Sequence, residues 1–364
     1  MNIAYRFQIY PTEEQKILLG KTFGCCRFLY NQMLNDKIQE YEKTKKMLKN
    51  TPAMYKREYP FLKEVDSLAL ANVQLHLEKA YKNFFRDPKI GFPKFKSKHH
   101  SRNSYTTNVV NGNILVESKR IRLPKLKWIA MKKHREPAKG LRLKSVTVSM
   151  EPSGKYFASL LYEGDSCENQ AAEPDYSTAK ILGIDYAMQG MAVFSEEIEM
   201  EEAGFFRKNE KRLVREQRKL SRCVRGSHNY ELQKKKVARC HEKIRNQRRD
   251  YLHKLSRKIV DSYDAVAVED IDMKAMGQCL HFGKSVHDNG YGMFREMLDY
   301  KLAWKGKKIV KVDRFFPSSK KCCQCGRIKK ELKLSERVYH CVCGNEMDRD
   351  RNAAINIREE ARRM

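Results

Sequence analysis

Ile3, Tyr5, Phe7 and Ile9 alternate with other residues at the start of the chain, the period of two expected of a half-buried strand. Pro11 and the run Thr12-Glu13-Glu14-Gln15 break that period. A Thr followed three residues later by Gln is the pattern of a capping box at a helix N-terminus. The spacing predicts a helix with Leu18, Phe28, Leu29, Met33 and Tyr41 among its apolar positions, and a second from Ser67 through Leu70, Val73, Leu77 and Phe84. From Gly91 the texture changes, with Phe92, Phe95 and Tyr105 interleaved among Lys94, Lys96, Lys98 and Arg102. Between Ile114 and Tyr162 short alternating runs are punctuated by turn residues, as where Val146-Thr147-Val148 precedes Pro152-Ser153-Gly154. These predict strands of a β-barrel or sheet completed by the N-terminal strand, with the two helices inserted between.

Glu163 to Thr178 has no hydrophobic period and is rich in Ser, Asn, Glu and Asp, which marks a domain boundary. A second domain is expected from Ile181. Ile181-Leu182-Gly183-Ile184-Asp185 and Met191-Ala192-Val193-Phe194 read as a strand pair, and Ala265 to Glu269 and Ile309 to Asp313 as further strands. A long basic helical stretch, Phe206 to Val260, lies between the pair and the third strand. Internal repeats and low-complexity segments are absent from the sequence.

At 364 residues, 41% of them hydrophobic, the chain is long enough for two or three packed domains. It has no run of 18 apolar residues, and Arg6, Gln8, Thr12 and Glu13 interrupt the start, so neither a membrane span nor a signal peptide is expected. The expectation is a soluble intracellular protein. The net charge changes the picture more: 74 Lys and Arg against 45 Asp and Glu leave +29. That surplus repels itself unless a polyanion neutralises it, and nucleic acid is the usual one. A membrane surface fits less well, because no segment joins a basic face to a strong apolar face with anchoring Trp.

Three acids follow apolar runs. Asp185 and Glu269 end predicted strands, and Asp348 and Asp350 precede Asn352-Ala353-Ala354, where a C-terminal helix is expected to begin. Each alone reads equally as a turn residue or helix cap. Together, on rigid strand ends, they are placed to hold hard cations. Phosphodiester hydrolysis with magnesium uses acidic oxygens converging on two ions about 4 Å apart.

Of the 11 cysteines, Cys25, Cys26, Cys167, Cys223, Cys240 and Cys279 are scattered and five crowd into Cys322 to Cys343, the usage of a reducing compartment with one metal site. Cys322-Cys323-Gln324-Cys325-Gly326 and Cys341-Val342-Cys343-Gly344 form two knuckles of a zinc ribbon. The preferred ligands are Cys322, Cys325, Cys341 and Cys343, with Cys323 a bystander. The second knuckle is shortened, and His340 with Cys343 offers the alternative to Cys341. Four protein ligands close the coordination sphere, which makes such a zinc structural.

Between Arg207 and Lys258 basic residues dominate, and Gly226-Ser227-His228-Asn229 is expected to turn one helix back on another. Arg215, Arg218, Lys219, Lys235, Arg239, Arg245 and Arg249, with Lys94 and Lys96 of the aromatic segment, are candidate nucleic-acid contacts. Spread over helices, they suit phosphates along a duplex or heteroduplex. The aromatics from Phe92 to Tyr105 read either as a stacking platform or as core.

These residues together resemble the TnpB family of transposon-encoded proteins, relatives of type V CRISPR effectors. The likeness is densest in Phe316 to Gly326, Cys341 to Gly344 and Asp348-Arg349-Asp350-Arg351-Asn352-Ala353-Ala354-Ile355-Asn356-Ile357. It extends to Gly183-Ile184-Asp185, Val268-Glu269-Asp270, Glu216 to Ser221, Gln247 to Asp250, Phe282-Gly283-Lys284-Ser285, Tyr5 to Phe7, Tyr10 to Thr12 and Gly91 to Phe95. The resemblance implies a multidomain α+β protein. A wedge β-barrel (1–10 and 106–165) would carry an inserted helical recognition domain (11–105). An RNase H-like α/β RuvC domain (179–317 and 346–364) would carry an inserted zinc ribbon (318–345). It implies Asp185, Glu269 and Asp350 as catalytic ligands of two magnesium ions, a guide RNA, and cleavage of target DNA beside a short adjacent motif. In such systems base pairing reads most of the sequence. A monomer on one RNA, in the prokaryotic cytoplasm and at the nucleoid when on target, is the expected state.

A miniature type V CRISPR effector would carry the same motifs. A nuclease-inactive RNA-guided regulator is disfavoured by the intact acids. A guide-free zinc-ribbon protein leaves those acids unexplained, and a RuvC-like resolvase or DNA transposase leaves the basic N-terminal half unexplained.

Overall fold

The computed structural model describes residues 2–98, 101–138, 140–164, 176, 178–187, 191–198, 205–271, 290–333 and 335–364. Most of the expected linker, Cys167, Cys279 and the motif Phe282 to Ser285 lie outside these residues. The chain divides into two compact units, Met1–Ser166 and Cys167–Met364.

In the first unit, β1 (Asn2–Tyr10) leads into α1 (Glu13–Thr44), followed by α2 (Pro52–Glu58) and α3 (Ser67–Arg86). The capping box forms: Gln15 N–H donates to Thr12 Oγ1 at 3.3 Å, and Thr12 N–H donates to Gln15 Oε1 at 3.0 Å. The Gln15 amide also donates to the carbonyls of Leu126 and Trp128, pinning the helix start to the sheet. Asp66 caps α3 through the Leu68 N–H. The strands are β2 (Asn103–Asn108), β3 (Leu115–Val116), β4 (Arg120–Leu123), β5 (Lys127–Lys132), β6 (Arg142–Met150) and β7 (Tyr156–Glu163). They form one antiparallel sheet in the order β2-β6-β7-β1-β5-β4-β3, so the N-terminal strand lies inside it, between β7 and β5. Among the described residues no ladder joins β2 to β3. Phe7, Ile9, Val146, Val148 and Leu160 share a core with Leu19, Leu29, Met33, Leu70 and Leu77 of the helices. Tyr105 belongs to this core, 5% exposed on β2. The strand region thus starts ahead of residue 106, because Tyr105 and Thr107 alternate inward with the rest of β2.

The second unit begins with β8 (Ile181–Ala187) and β9 (Met191–Phe194), continues through α4 (Phe205–Ser221) and α5 (His228–Ser262), and reaches β10 (Ala265–Glu269). Next in the described chain come α6 (Tyr291–Ala303), β11 (Lys308–Val312), the short strands β12 (Val338–His340) and β13 (Glu346–Asp348), and α7 (Arg349–Ala361). The sheet order is β11-β10-β8-β9, with β8, β10 and β11 parallel and β9 antiparallel. Both faces are covered, which is why these strands read as continuous apolar runs. Leu182, Ile184, Val266 and Val268 face α5 and α6, burying Leu252, Ile259, Phe294 and Leu298. Ile181, Ala265 and Ala267 face α7 with Ile357 and Ala361. No described helix is long and apolar enough to cross a membrane.

Candidate functional site

Strand parity sorts the acids. Gly183 and Asp185 share one face of β8, and Ala265, Ala267 and Glu269 share one face of β10, since alternate side chains point the same way. That face is the one under α7. β8 and β10 pair in parallel with Ala267 beside Gly183 and Val268 beside Ile184, so Glu269 continues the register next to Asp185. Gly183 lets the helix approach: a Cβ there would stand 2.0 Å from the Ala354 carbonyl oxygen and 2.9 Å from Arg358. Asp350 lies one helical turn before Ala354, a rise of about 6 Å, and Asp185 lies two strand residues beyond Gly183, about the same length. A helix running against β8 therefore carries Asp350 to Asp185.

The electrostatics agree. Burial, followed by the charges of Glu269 and Asp350, pushes the Asp185 carboxyl up to about 8, opposed by the Tyr186 N–H and Arg349. Burial also pushes Glu269 up, against the Ser318 hydroxyl that donates to its Oε1 at 3.4 Å. Asp350 receives the Arg349 guanidinium at 3.2 Å, and the Arg337 guanidinium stands 3.8 Å away. Asp348 is occupied otherwise. As N-cap of α7 it accepts from the N–H groups of Asp350 and Arg351, both at 2.9 Å.

The sulfurs of Cys322, Cys325, Cys341 and Cys343 all lie within 4.8 Å of one another, close enough to hold one metal ion. His340 is exposed, its Nδ1 3.5 Å from Glu346, and is not in that group. Cys323 stands aside against the Met347 sulfur at 3.5 Å. Burial raises the Cys322 thiol, but the Cys325 N–H, the Asn345 amide and the Gln324 N–H bring it down to about 6. A thiol so disposed becomes the thiolate a soft cation needs.

Asn352 and Asn356 escaped the reading of the sequence. Both are buried on α7. Asn352 donates to the Lys321 carbonyl at 2.7 Å and accepts from the Cys323 N–H at 3.0 Å. Asn356 donates to the carbonyls of Ser318 and Lys321. The clue was two Asn a turn apart amid Ala, since Asn is a poor helix former that stays when its amide is used.

The basic helices α4 and α5 fold back on each other through Leu213, Cys240 and Ile244. Their turn ends in a Ser227 cap, and Gln233 ties the pair by donating to Glu216 at 2.8 Å. Arg215, Arg218 and Lys219 line a recess on α4, and Lys219 with Arg239 lines a second between the helices. Lys235, Arg245, Arg249 and, in the first unit, Lys94 are exposed. Lys96 is not presented in this way. Its backbone is held by Asn31, its ammonium sits 3.9 Å from the centre of the Tyr30 ring, and burial lowers its pKa.

Three family profiles match the chain. One described as "Probable transposase" covers residues 160–279, one described as "Cas12f1-like, TNB domain" covers 291–357, and a "Helix-turn-helix domain" covers 1–46. In this structure residues 1–46 hold a strand and one long helix. A "Putative RNA-guided DNA endonuclease" of Streptomyces pristinaespiralis is 33% identical over 97% of this chain and 88% of its own length. The "Putative RNA-guided DNA endonuclease InsQ" of Escherichia coli (strain K12) is 31% identical over 97% and 91%. A solved structure, "Cryo-EM structure of the Cas12f1-sgRNA-target DNA complex", aligns with TM-score 0.59 at 13% identity, covering 98% of each chain, a likeness of fold.

Proposed function

The chain belongs to the TnpB family of RNA-guided DNA endonucleases, and from that premise we propose that it cleaves target DNA next to a short adjacent motif, directed by a guide RNA. The observation that carries the chemistry is the crowding of three acids on a buried site, where burial and then the charges of Glu269 and Asp350 push Asp185 up to about 8. Buried carboxylates brought this close fit a divalent cation, and an all-oxygen donor set fits magnesium. Asp185, Glu269 and Asp350 would hold two magnesium ions in an RNase H-like RuvC domain. When bound, the ions supply activation of water and stabilisation of the leaving 3′ oxygen.

The chain's own residues do the rest. Strand ends fix Asp185 and Glu269, Ser318 orients Glu269, and the Asp348 cap holds the first turn of α7 so that Asp350 faces the pair. Cys322, Cys325, Cys341 and Cys343 would hold a structural zinc, their thiolates satisfying its tetrahedral preference. The α4–α5 hairpin offers phosphate contacts that position a heteroduplex without reading its sequence. The first unit, with its antiparallel sheet and helices, would serve as the wedge and recognition domain. Full-length likeness to the two endonucleases above favours the transposon-type reading over a CRISPR effector.

The test is to purify the protein from its native locus and sequence the RNA that accompanies it. DNA matching that RNA should then be cut with magnesium and left intact with chelator. Heterogeneous RNA, or cutting that survives Asp185→Ala, would sink the reading.

A further inference from the structure

On α6, two buried donors find no hydrogen-bond partner among the described residues. Tyr291, the first residue of α6, is 1% exposed, and its hydroxyl makes no hydrogen bond to the described residues. One turn on, a terminal nitrogen of Arg295 is buried in the same condition. Residues four apart share a helix face. Buried donors are nearly always satisfied in folded proteins, and leaving one unpaired is costly. Two together on one helix face point to an acceptor beyond those the described residues supply.

The neighbours say where. The Tyr291 ring lies against Tyr186, centroids 4.9 Å apart, and Tyr186 directly follows Asp185. Parity puts Tyr186 on the face of the sheet covered by α5 and α6, opposite Asp185 and α7. Tyr291 thus reaches the carboxylate end of β8 from the side away from Asp350. Burial raises its pKa first, then the charge of Asp185; Arg295 opposes and Glu269 adds. Its hydroxyl feels both acids and bonds to neither.

We propose that Tyr291, backed by Arg295, is a positioning residue whose hydroxyl donates a hydrogen bond to water in the coordination shell of a divalent cation held by Asp185 and Glu269. This rests on the reading of the acids as cation ligands given above. Such a bond orients the water and restrains the cation without touching the RNA-binding surface. It also gives a role to a hydroxyl that, left unpaired, would weaken the fold where a phenylalanine would pack as well.

Tyr291→Phe retains the ring and removes only the hydroxyl. Its melting temperature in chelator should rise by about 2–4 °C, because the unpaired group is gone. The further rise on adding magnesium should shrink, because ligand stabilisation follows affinity. Half-saturating magnesium for cutting guide-matched DNA should rise about 5- to 10-fold, with guided DNA binding unchanged. A stability gain paired with weaker cation response is a result that a purely structural tyrosine would not give. A magnesium titration of melting and cleavage that overlays the wild type overturns the proposal. So does a lower melting temperature in chelator with cutting reduced equally at every magnesium level. Should Tyr291→Phe not fold, Arg295→Gln carries the test, with the same weakened magnesium response expected and an unchanged one fatal. Asp185→Ala is measured alongside. If it cuts, or the wild type does not, the nuclease reading itself fails; if only Tyr291→Phe behaves as wild type, the failure is that of the positioning role alone.

Discussion

Replacing Gly183 with Ala adds one methyl group at a place where the helix propensities and strand propensities of the two residues predict the wrong sign. Inside a strand, Ala is ordinarily better than Gly by about 0.5–1 kcal/mol. Here the new Cβ would lie 2.0 Å from the backbone oxygen of Ala354 and 2.9 Å from the Cβ and N of Arg358. Contacts below 3.0 Å do not occur at real Cβ atoms, so α7 must retreat by about 1 Å. Overpacking against backbone, which has no rotamer to escape into, costs about 3 kcal/mol or more. For a unit of this size that is a fall in melting temperature of about 6–12 °C. The same movement carries Asp350 away from Asp185, and a misplacement of about 1 Å costs on the order of 100-fold in rate. The assay is paired: thermal unfolding, and single-turnover cleavage of guide-matched DNA at saturating magnesium. Ala354→Gly in the same chain should not rescue it, because the obstruction is a carbonyl oxygen that glycine keeps. A Gly183→Ala protein that melts at or above the wild-type temperature and cuts at the wild-type rate would refute the seating of α7 on β8, and with it the position assigned to Asp350.

Asp185→Asn should abolish cutting yet flatten the pH dependence of stability in chelator. The folded-state carboxyl sits at about 8 rather than near its ordinary value, so the stability it contributes is complete below about pH 4 and is lost as pH rises through about 8. Melting curves from about pH 5.5 to 8.5 check this, and equal slopes in the two proteins would contradict it. Zinc should be present at one ion per chain by elemental analysis, and Cys325→Ser should release it and lower cutting while guide RNA binding persists. A folded, active protein without zinc would contradict the ribbon assignment. Arg215→Ala with Arg218→Ala should weaken RNA binding and lower the slope of log affinity against log salt by about 1.4–1.8, the loss of two phosphate contacts. An unchanged slope would remove α4 from the interface.

What was readable in the sequence was what is local. The Thr12 capping box, the alternation of β1 and the apolar runs of β8 and β10 each declare themselves within a few residues, and the structure forms them. Asp185 and Glu269 were candidates because strand ends are local features too. Choices that turn on side-chain direction were not readable. Asp348 and Asp350 are equivalent as letters; they separate only when Asp348 accepts two backbone N–H groups and leaves Asp350 to the acids. His340 and Cys341 separate in the same way, when the imidazole turns to Glu346. Depth was also hidden. Tyr105 and Lys96 look like parts of one basic aromatic stretch, but one is buried on β2 and the other folds over Tyr30. The contact of Gly183 with Ala354 joins segments far apart in sequence, and nothing in Gly-Ile-Asp alone predicts it.

The position of the ribbon in the chain then acquires a physical reason. Asp350 is the one acid of the three that a strand does not hold, so something else must fix it. The ribbon enters after β11 and returns through β13, whose last residue, Asp348, is also the cap of α7. The Arg349 N–H donates to the Arg337 carbonyl at 2.9 Å, and the Arg337 guanidinium faces Asp350. On the other side of the helix's first turns, Asn352 and Asn356 grip the carbonyls of Ser318 and Lys321 at the ribbon's root. Ser318 in turn donates to Glu269. The four sulfurs join the two ends of this loop, Cys322 and Cys325 on one side and Cys341 and Cys343 on the other. A metal cross-link there would restrain the segments on which Asp350 and Glu269 depend, while the four sulfurs themselves stand apart from both acids. A metal held by these sulfurs would therefore act on the carboxylate centre through geometry, and its removal should lower the rate of cutting more than the affinity for guide or target.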